Sequence, residues 1–179
     1  MATHKQIAEK WAGRQHEKGS AGNLYFHKER IYSYGTMIGN LVETPKGIVA
    51  LCNTTRYSSS TSAQQGLVRF AASQRYPTFL VKHCDGPGMH PLNQEVYAAH
   101  IAELRDKEIT KPSPREDAWT NIPRWSEQIE KEKLLYEKTF NLDCCPIPLT
   151  KRQLAEVAAQ AEEAERRKFY AEDPMHAMF

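Results

Sequence analysis

Hydroxyl side chains are concentrated between residues 54 and 62, in a pattern that could bind an anion. The run contains Thr54, Thr55, Ser58, Ser59, Ser60, Thr61 and Ser62. It follows an apolar stretch, 48–52, and precedes apolar residues at helical spacing, which predicts a strand, a loop and the start of a helix. Hydroxyls and backbone N–H groups at a helix start can hold a phosphate, with Arg56 and Arg69 nearby. Alternatively, Ser60 or Thr61 caps the helix and the other hydroxyls pair along strand edges.

No phosphate-loop or nucleophile motif accompanies these hydroxyls. The sequence has no GxxxxGKS/T, GxGxxG or GxSxG pattern. A nucleotide cofactor and a serine nucleophile at a strand–helix elbow are therefore not expected. We predict no cofactor and no catalytic residue.

A second group of reactive side chains is His83-Cys84-Asp85, with His90 five residues after Asp85. A zinc site needs about four converging ligands, and neither CxxC nor HxxxH spacing is present. Adjacent strand residues point to opposite faces, which disfavours His83 as a base for Cys84. We predict a polar loop without a metal. A metal-dependent enzyme built on these four residues is kept as the third alternative for function.

Aromatic and basic residues surround the predicted strands and could form a binding surface. Tyrosine with arginine is typical of protein-binding hot spots, and it equally suits base stacking with phosphate contacts. Tyrosines half-buried on a sheet are the alternative without a binding function. The predicted binding residues are Tyr32, Tyr34, Arg56, Tyr57, Ser58, Ser60, Arg69, Arg75 and Lys82.

The elements that must position these residues predict an α+β protein: a small, mostly antiparallel sheet with one packed helix, followed by a helical C-terminal half. A first helix over 3–17 is expected to end at a hinge, Gly19-Ser20-Ala21-Gly22-Asn23. Gly35 and Gly39 indicate bulges or a close backbone approach. Thr44-Pro45-Lys46-Gly47 has the residues of a tight turn. The predicted strands include 24–27, 31–34, 48–52 and 78–81, and the packed helix covers 61–74.

In the second half, apolar stripes and capping boxes predict helices. One stripe is Val96, Tyr97, His100, Ile101 and Leu104, with His100 expected in the core. The next is Ile122, Trp125, Ile129, Tyr136 and Phe140, and capping boxes are expected at Ser113–Glu116 and Thr150–Gln153. We predict a mixed region over 1–88, with a motif-bearing core over 24–83, and a helical region over 89–179 packed on it as one compact unit.

Composition and charge limit the class of protein. The 179 residues have an ordinary globular composition, with no apolar run long enough to span a bilayer and a polar N-terminus without a signal-peptide core. We therefore expect a cytosolic protein with four reduced cysteines. Residues 1–90 carry eleven Lys/Arg against five Asp/Glu, whereas residues 91–179 carry thirteen against seventeen. Either Glu-rich helices explain this asymmetry, or the basic half faces an acidic partner.

Two segments resemble the motifs of a family of small domains in phage and mobile-element proteins. They are Tyr32-Ser33-Tyr34-Gly35-Thr36 and Asn53-Thr54-Thr55-Arg56-Tyr57-Ser58, followed by Ser60-Thr61-Ser62 and Gln65. The family carries YSYGTHFPIA and NTTRYSxTTSxHQ stretches, and no activity is assigned to it. The likeness covers residues 31–75. Because Met37 and Gln64 stand where the family has histidines, it argues against an inherited catalytic role. It implies a phage or prophage origin and a partner-binding accessory.

We therefore predict a non-enzymatic, phage-encoded accessory protein of the host cytoplasm. Its partner would be a host protein or ribonucleoprotein complex, for example a defence complex inhibited in the manner of anti-CRISPR proteins. The alternative is a nucleic-acid-binding protein of phage replication or genome handling. No membrane partner is expected, and a homodimer stays open. The apolar tail 175–179 is predicted to dock on its own helical half or on a second subunit.

Overall fold

The computed structural model describes residues 2–110 and 125–159. The predicted capping box at Ser113–Glu116, the stripe residue Ile122 and the C-terminal tail lie outside these ranges. The elements are α1 (His4–Ala12), β1 (Lys18–Ala21), β2 (Leu24–His27), β3 (Arg30–Ser33), β4 (Thr36–Thr44), β5 (Gly47–Asn53), α2 (Ser59–Ser73), β6 (Thr78–Val81), a 3-10 turn (Pro87–Met89), α3 (His90–Thr110) and α4 (Trp125–Phe140). Residues 151–159 are helical as well.

The six strands form one sheet in the order β1-β2-β3-β4-β5-β6. Neighbouring strands from β1 to β5 are antiparallel and are joined by short turns, whereas β5 and β6 are parallel. Parallel neighbours need a crossover connection, and α2 supplies it. The predicted α+β class with a mostly antiparallel sheet is confirmed. The predicted turn is found too, since Thr44 and Gly47 are partners across the β4–β5 loop.

The prediction for the N-terminal segment was wrong in two respects. Thr3 begins α1 with a capping box to Gln6, as its sequence suggests, but the helix ends at Ala12. Residues 19–21 of the predicted hinge belong to strand β1, in which Gly19 pairs with Phe26 of β2, and Gly22 and Asn23 form the turn to β2. A Cβ at Gly19 would lie 2.6 Å from Phe26 Cε1. The glycine therefore serves close packing across the strand pair and does not break the chain.

The core is organised around Gly39 in β4. Trp11 of α1 is 1% exposed, and its Nε1 donates a hydrogen bond to the Glu29 carbonyl at 2.8 Å. A Cβ on Gly39 would lie 2.9 Å from Ile31 Cγ2 and 3.1 Å from both Trp11 Cη2 and Val68 Cγ1. The sheet, α1 and α2 can approach this closely only because position 39 has no side chain.

A β-bulge occurs at the same place. Ile31 pairs with Gly39 and Tyr32 with Met37, so that Ile38 is the extra residue of β4. This confirms the predicted irregularity at Gly39. Gly35 instead lies in the turn between β3 and β4, with φ of +81°.

The chain divides into two compact units, residues 1–97 with 131–145 and residues 98–130 with 146–179. The first unit contains α1, α2, the whole sheet, the first two turns of α3 and the C-terminal part of α4. In it, Phe79 of β6 packs edge-on against Tyr136 of α4, with ring centroids 5.3 Å apart. The predicted division at residue 88 stays a prediction.

The outer edge of β6 is closed by two helix side chains of the first unit. The Leu80 N–H donates to Glu132 Oε1 at 3.2 Å, and the Tyr97 hydroxyl lies 3.1 Å from the Leu80 carbonyl. The same hydroxyl donates to Glu132 Oε1 at 2.9 Å. The Leu80 N–H and carbonyl, which another strand would pair, are thereby covered by side chains.

In the second unit, two stripe predictions were wrong. His100, expected in the core, is exposed, and Trp125 is 72% exposed. Asn93, Tyr97 and Ile101 of α3 are buried at a spacing of four residues, so the buried stripe runs along these positions and leaves His100 outside it. A neighbouring position is about 100° further round a helix, so His100 faces away.

The predicted capping box at residue 150 is confirmed. The Gln153 N–H donates to Thr150 Oγ1 at 3.3 Å, and the Thr150 N–H donates to Gln153 Oε1 at 3.0 Å. In the parts of the chain that the structure describes, no helix combines the length and apolarity needed to cross a membrane.

Gly39→Ala should destabilise the protein by about 1–3 kcal/mol, because the new methyl group overpacks a closed core. The matched control is Gly66→Ala in α2, where a Cβ meets nothing within 4 Å. Alanine is the better helix former, so Gly66→Ala should stabilise by about 0.5–1 kcal/mol. Chemical denaturation of both variants measures the difference. Equal effects would contradict the close packing described for Gly39.

Candidate functional site

The two sequence motifs meet at one end of the sheet, here called the motif edge and defined as residues 33–37, 53–61 and 81–82. The turn from β3 to β4 brings in the first segment, and the end of β5 with the start of α2 brings in the second. Ser33 Oγ lies 3.3 Å from Thr61 Oγ1, which joins the segments directly. The Thr54 N–H donates to the Val81 carbonyl at 2.9 Å, which places the end of β6 beside them.

Ser58 caps α2, whereas the sequence had suggested Ser60 or Thr61. Ser58 is extended, with φ −121° and ψ 167°, and its Oγ accepts a hydrogen bond from the Thr61 N–H at 3.2 Å. Thr61 Oγ1 accepts from Ser58 Oγ at 3.2 Å and is buried against Ser33. The capping interpretation of the hydroxyl run therefore accounts for Ser58 and Thr61. Ser60 is exposed on the first turn.

Asn53 holds the loop between β5 and α2 in place. Its Oδ1 accepts from the Thr55 N–H at 2.7 Å, and its Nδ2 lies 3.5 Å from both the Met37 carbonyl and the Tyr57 hydroxyl. From α2, Gln65 Nε2 donates to the carbonyls of Asn53 at 3.0 Å and Thr55 at 3.1 Å. These amide contacts hold the backbone on both sides of Arg56, and none of them involves the Arg56 side chain.

The side chains that the motif edge presents to solvent are aromatic and basic. Tyr34 is 59% exposed and Tyr57 is 51% exposed. Arg56 and Lys82 are exposed as well. The structure thus brings five predicted residues together with Ser58 at this edge, namely Tyr34, Arg56, Tyr57, Ser60 and Lys82.

Tyr34 occupies a backbone position that does not suit a tyrosine. Tyr34 and Gly35 form the two-residue loop between Ser33 and Thr36, and both have positive φ, +49° and +81°. A type I′ turn requires this, and it favours Asn-Gly or Asp-Gly. Left-handed backbone costs a residue with a Cβ about 1–2 kcal/mol. Because the ring is exposed, its partial burial stabilises the protein too little to offset this backbone strain.

The remaining predicted site residues lie elsewhere. Arg69 is exposed in the third turn of α2, and Arg75 follows the end of that helix. Fifteen helical residues span about 22 Å, so Arg75 is far from Ser58. It lines a groove of about 640 Å³ together with Phe70 and residues of α1. Tyr32 lies on the open face of β3, stacked on Tyr25 at a centroid distance of 5.1 Å.

Cys52 and Cys84 are buried thiols near the motif edge. Burial, together with the neighbouring Cys84 thiol, raises the pKa of Cys52 to about 12. Burial and the Asp85 carboxylate raise the pKa of Cys84 to about 12. A thiol with such a pKa is a poor nucleophile. In the described ranges, no group of three His, Cys, Asp or Glu residues could hold a metal ion.

A buried polar network in the first unit was not found from the sequence. Asn93 of α3 accepts from the His83 N–H at 3.0 Å and donates from Nδ2 to the His83 carbonyl at 2.7 Å. It also donates to the Tyr136 hydroxyl at 3.2 Å, and that hydroxyl lies 2.5 Å from His90 Nδ1. The Tyr136 hydroxyl thus joins Asn93 and His90 in one network. Burial lowers the pKa of His90, because it disfavours the charged imidazolium.

Glu137 forms a second buried cluster beside it. Its Oε1 accepts from Lys133 Nζ at 2.7 Å, from Gln94 Nε2 at 2.9 Å and from the Cys145 N–H at 3.0 Å. Burial opposes its ionisation, but these hydrogen bonds outweigh that effect and lower the pKa of Glu137. Only the pairing of Lys133 with Glu137 at helical i,i+4 spacing was visible in the sequence.

Comparison with protein families, with curated proteins and with solved structures gave no match. The site therefore has to be interpreted from its own residues.

Thiol reagents should discriminate among the cysteines of the folded protein. With a pKa of about 12, Cys52 and Cys84 hold only about one thiolate in ten thousand at mildly alkaline pH. Cys144 is exposed and should be alkylated first. Peptide mass spectrometry of a time course measures the three rates, and labelling of Cys52 and Cys84 should require denaturant. Equal rates for all three in native buffer would contradict the burial described.

Acid should destabilise the protein through His90. Its pKa is lowered from 6.5 in the folded state, so below pH 6.5 the unfolded chain binds a proton that the folded protein resists. Stability is then full above pH 6.5 and is lost as pH falls, by at most about 1.4 kcal/mol per pH unit. Denaturation measured at about pH 7.5 and about pH 5.5 should show this loss, reduced in His90→Asn. A control, His27→Asn on the exposed face of β2, should keep the wild-type dependence. An unchanged dependence in His90→Asn would remove this histidine as the cause.

Proposed function

We propose that this protein is a non-enzymatic accessory that binds a host macromolecular complex through the motif edge. The observation that carries the proposal is Tyr34, an exposed tyrosine held in left-handed backbone at the tip of a hairpin. Stability alone would favour asparagine at this position. Strained backbone that presents a large side chain to solvent is typical of a ligand contact.

The neighbours of Tyr34 support a protein or ribonucleoprotein partner. Tyr57 and Arg56 lie on the loop that Asn53 and Gln65 fix, so their backbone is ordered before binding. Tyrosine and arginine are the residues most often found at energetic hot spots of interfaces, and an ordered loop lowers the entropic cost of association. The two exposed tyrosines and the basic groups form a small surface suited to one partner epitope.

The two candidate nucleophiles, Ser58 and Cys84, argue for binding rather than catalysis. Ser58 is used as a helix cap and Cys84 is a protonated, buried thiol. Asn93 holds the backbone of His83 through both its N–H and its carbonyl. Ser58, Thr61 and Cys84 thus serve capping and packing. The exposed aromatic and basic groups carry the proposed activity.

A phage or mobile-element origin is part of the proposal and rests on the motif resemblance of residues 31–75. A protein from such an element that works in the host cytoplasm meets host complexes as its partners. Defence complexes that contain RNA expose both protein surface and phosphate groups. Tyrosine and arginine side chains bind well to either kind of surface. Inhibition of such a complex, in the manner of anti-CRISPR proteins, is the specific activity proposed.

Tyr34→Asn should separate binding from stability. Asn-Gly suits the turn, so the variant should melt about 2–4 °C higher than the wild type. It should nevertheless lose most of the host complex captured from lysate by the tagged protein, because the anchoring ring is gone. Thermal denaturation and quantitative pull-down at physiological salt measure the two effects. A variant that is more stable and captures as much complex would show that Tyr34 has no binding role.

The charge control uses two exposed basic residues. Arg56→Glu should weaken capture at least tenfold, whereas Lys46→Glu in the β4–β5 turn, at the other end of β4, should leave it unchanged. Equal losses would point to non-specific charge attraction.

If the partner is a defence complex, expression of the wild type in a host that carries this complex should restore phage plating. Arg56→Glu should not. Failure of the wild type to restore plating would exclude inhibition of that complex.

A further inference from the structure

One face of the sheet is only partly covered in the first unit. Side chains alternate along β2, so Leu24 and Phe26 are buried on the face of α1 and α2 while Tyr25 and His27 point the other way and are exposed. On that other face, the rings of α4 cover Phe79 in β6. The part formed by β1, β2 and β3 is here called the open sheet face. Its residues are Lys18, Ser20, Tyr25, His27, Arg30 and Tyr32.

The register of the three strands arranges these residues in two cross-strand rows. Lys18 pairs with His27, and His27 pairs with Arg30, which gives a row with a cation at each end. Lys28, in the turn between β2 and β3, adds a third exposed cation beside this row. Within the described ranges, no acidic side chain forms a salt bridge with Lys18, Lys28 or Arg30. The nearby Glu29 is instead 4.0 Å from Arg14.

The second row is aromatic. Tyr25 pairs with Tyr32, and their rings are stacked with centroids 5.1 Å apart and an angle of 13° between the planes. Tyr25 is 38% exposed and Tyr32 is half-buried. The two rows are two residues apart along each strand, about 7 Å. A stacked ring pair thus lies beside a row of cations that form no salt bridge with described residues, on one face of the sheet.

We propose that the open sheet face binds single-stranded nucleic acid. Tyr25 and Tyr32 cover one face of each other, so an unpaired base stacks on the outer face of this ring pair, and backbone phosphates lie against Lys18, Lys28 and Arg30. Flat sheets with exposed aromatic rings bind unpaired bases in this way, and cations beside them hold the backbone without reading sequence. The inference does not rest on the motif edge, because it uses none of Tyr34, Arg56 and Tyr57.

The paired rings favour this occupant over an acidic protein. Carboxylates of a protein partner would be attracted by the cations alone and would make no use of two parallel rings. An unpaired nucleotide has a flat base at one end and a phosphate at the other, so it meets both rows at once. A duplex keeps its bases stacked inside and offers only its phosphates. Binding should therefore be stronger for a single strand than for a duplex.

Fluorescence anisotropy with labelled oligothymidylate and oligouridylate tests the proposal on the full chain. Tyr25→Ala should weaken binding about fivefold or more, the effect of losing one stacked base. Contacts with about three phosphates should lower affinity roughly twentyfold between 50 and 200 mM salt. Lys18→Glu combined with Arg30→Glu should abolish binding, and Lys46→Glu, the same charge change off this face, should leave it within about twofold. The ratio of the two oligonucleotide affinities distinguishes DNA from RNA.

Several outcomes would overturn the proposal. They are no binding of either oligonucleotide at 50 mM salt, equal affinity for a duplex of the same length, and full binding by Tyr25→Ala. Competition by polyglutamate as strong as that by oligonucleotide, with no dependence on Tyr25, would assign the surface to an acidic protein instead. Tyr25 is 38% exposed and stacks on Tyr32, so its truncation should lower the melting temperature by only a few degrees and leave the protein folded in the assay. This variant therefore decides the question even if changes at half-buried Tyr32 destabilise the fold.

Discussion

The parallel pairing of β5 with β6 is the constraint on which the arrangement of this protein depends. Parallel neighbours cannot be joined by a tight turn, so the chain must leave the end of β5 and return along a helix. The helix therefore begins beside the ends of two strands, where Thr54 meets Val81. The β3–β4 hairpin reaches the same place because Ser33 contacts Thr61. Residues that are far apart in sequence thus form one edge without any long loop.

Much of the fold could be predicted because its signals are local. The apolar and aromatic runs of the strands, the Pro-containing turn before Gly47 and the capping box at Thr150 each depend on residues a few positions apart. Strand β1 was not predicted, because Gly19 considered by itself is typical of a break in secondary structure. A glycine is needed at this position because the Phe26 ring of the next strand fills the space that a Cβ would occupy. His100 was misplaced because an apolar stripe was assumed, whereas the buried stripe of α3 runs along Asn93, Tyr97 and Ile101.

The types of residue at the candidate site could be predicted from the sequence, but which of them lie close together could be predicted only in part. Tyrosines and arginines near the motifs could be selected by residue type. The predicted helix over 61–74 already implied that Arg75 lies at the far end from Ser58, and selection by residue type alone ignored that distance. The buried network of His90, Asn93 and Tyr136 had no signal at all. Tyr136 lies on a different helix from His90 and Asn93, more than forty residues away in sequence, and its hydroxyl contacts both of them.

The two outer strands of the sheet differ in a way that bears on self-association. At β6, Glu132 and Tyr97 occupy the Leu80 backbone groups that an incoming strand would need. At β1, no strand of the described chain pairs with the outer side, and the edge is protected only by its length of four residues and by Lys18. Strand addition, whether in a domain-swapped pair or in early aggregation, would therefore proceed from β1. A proline on the outward-facing N–H of that strand would be the simplest way to block it.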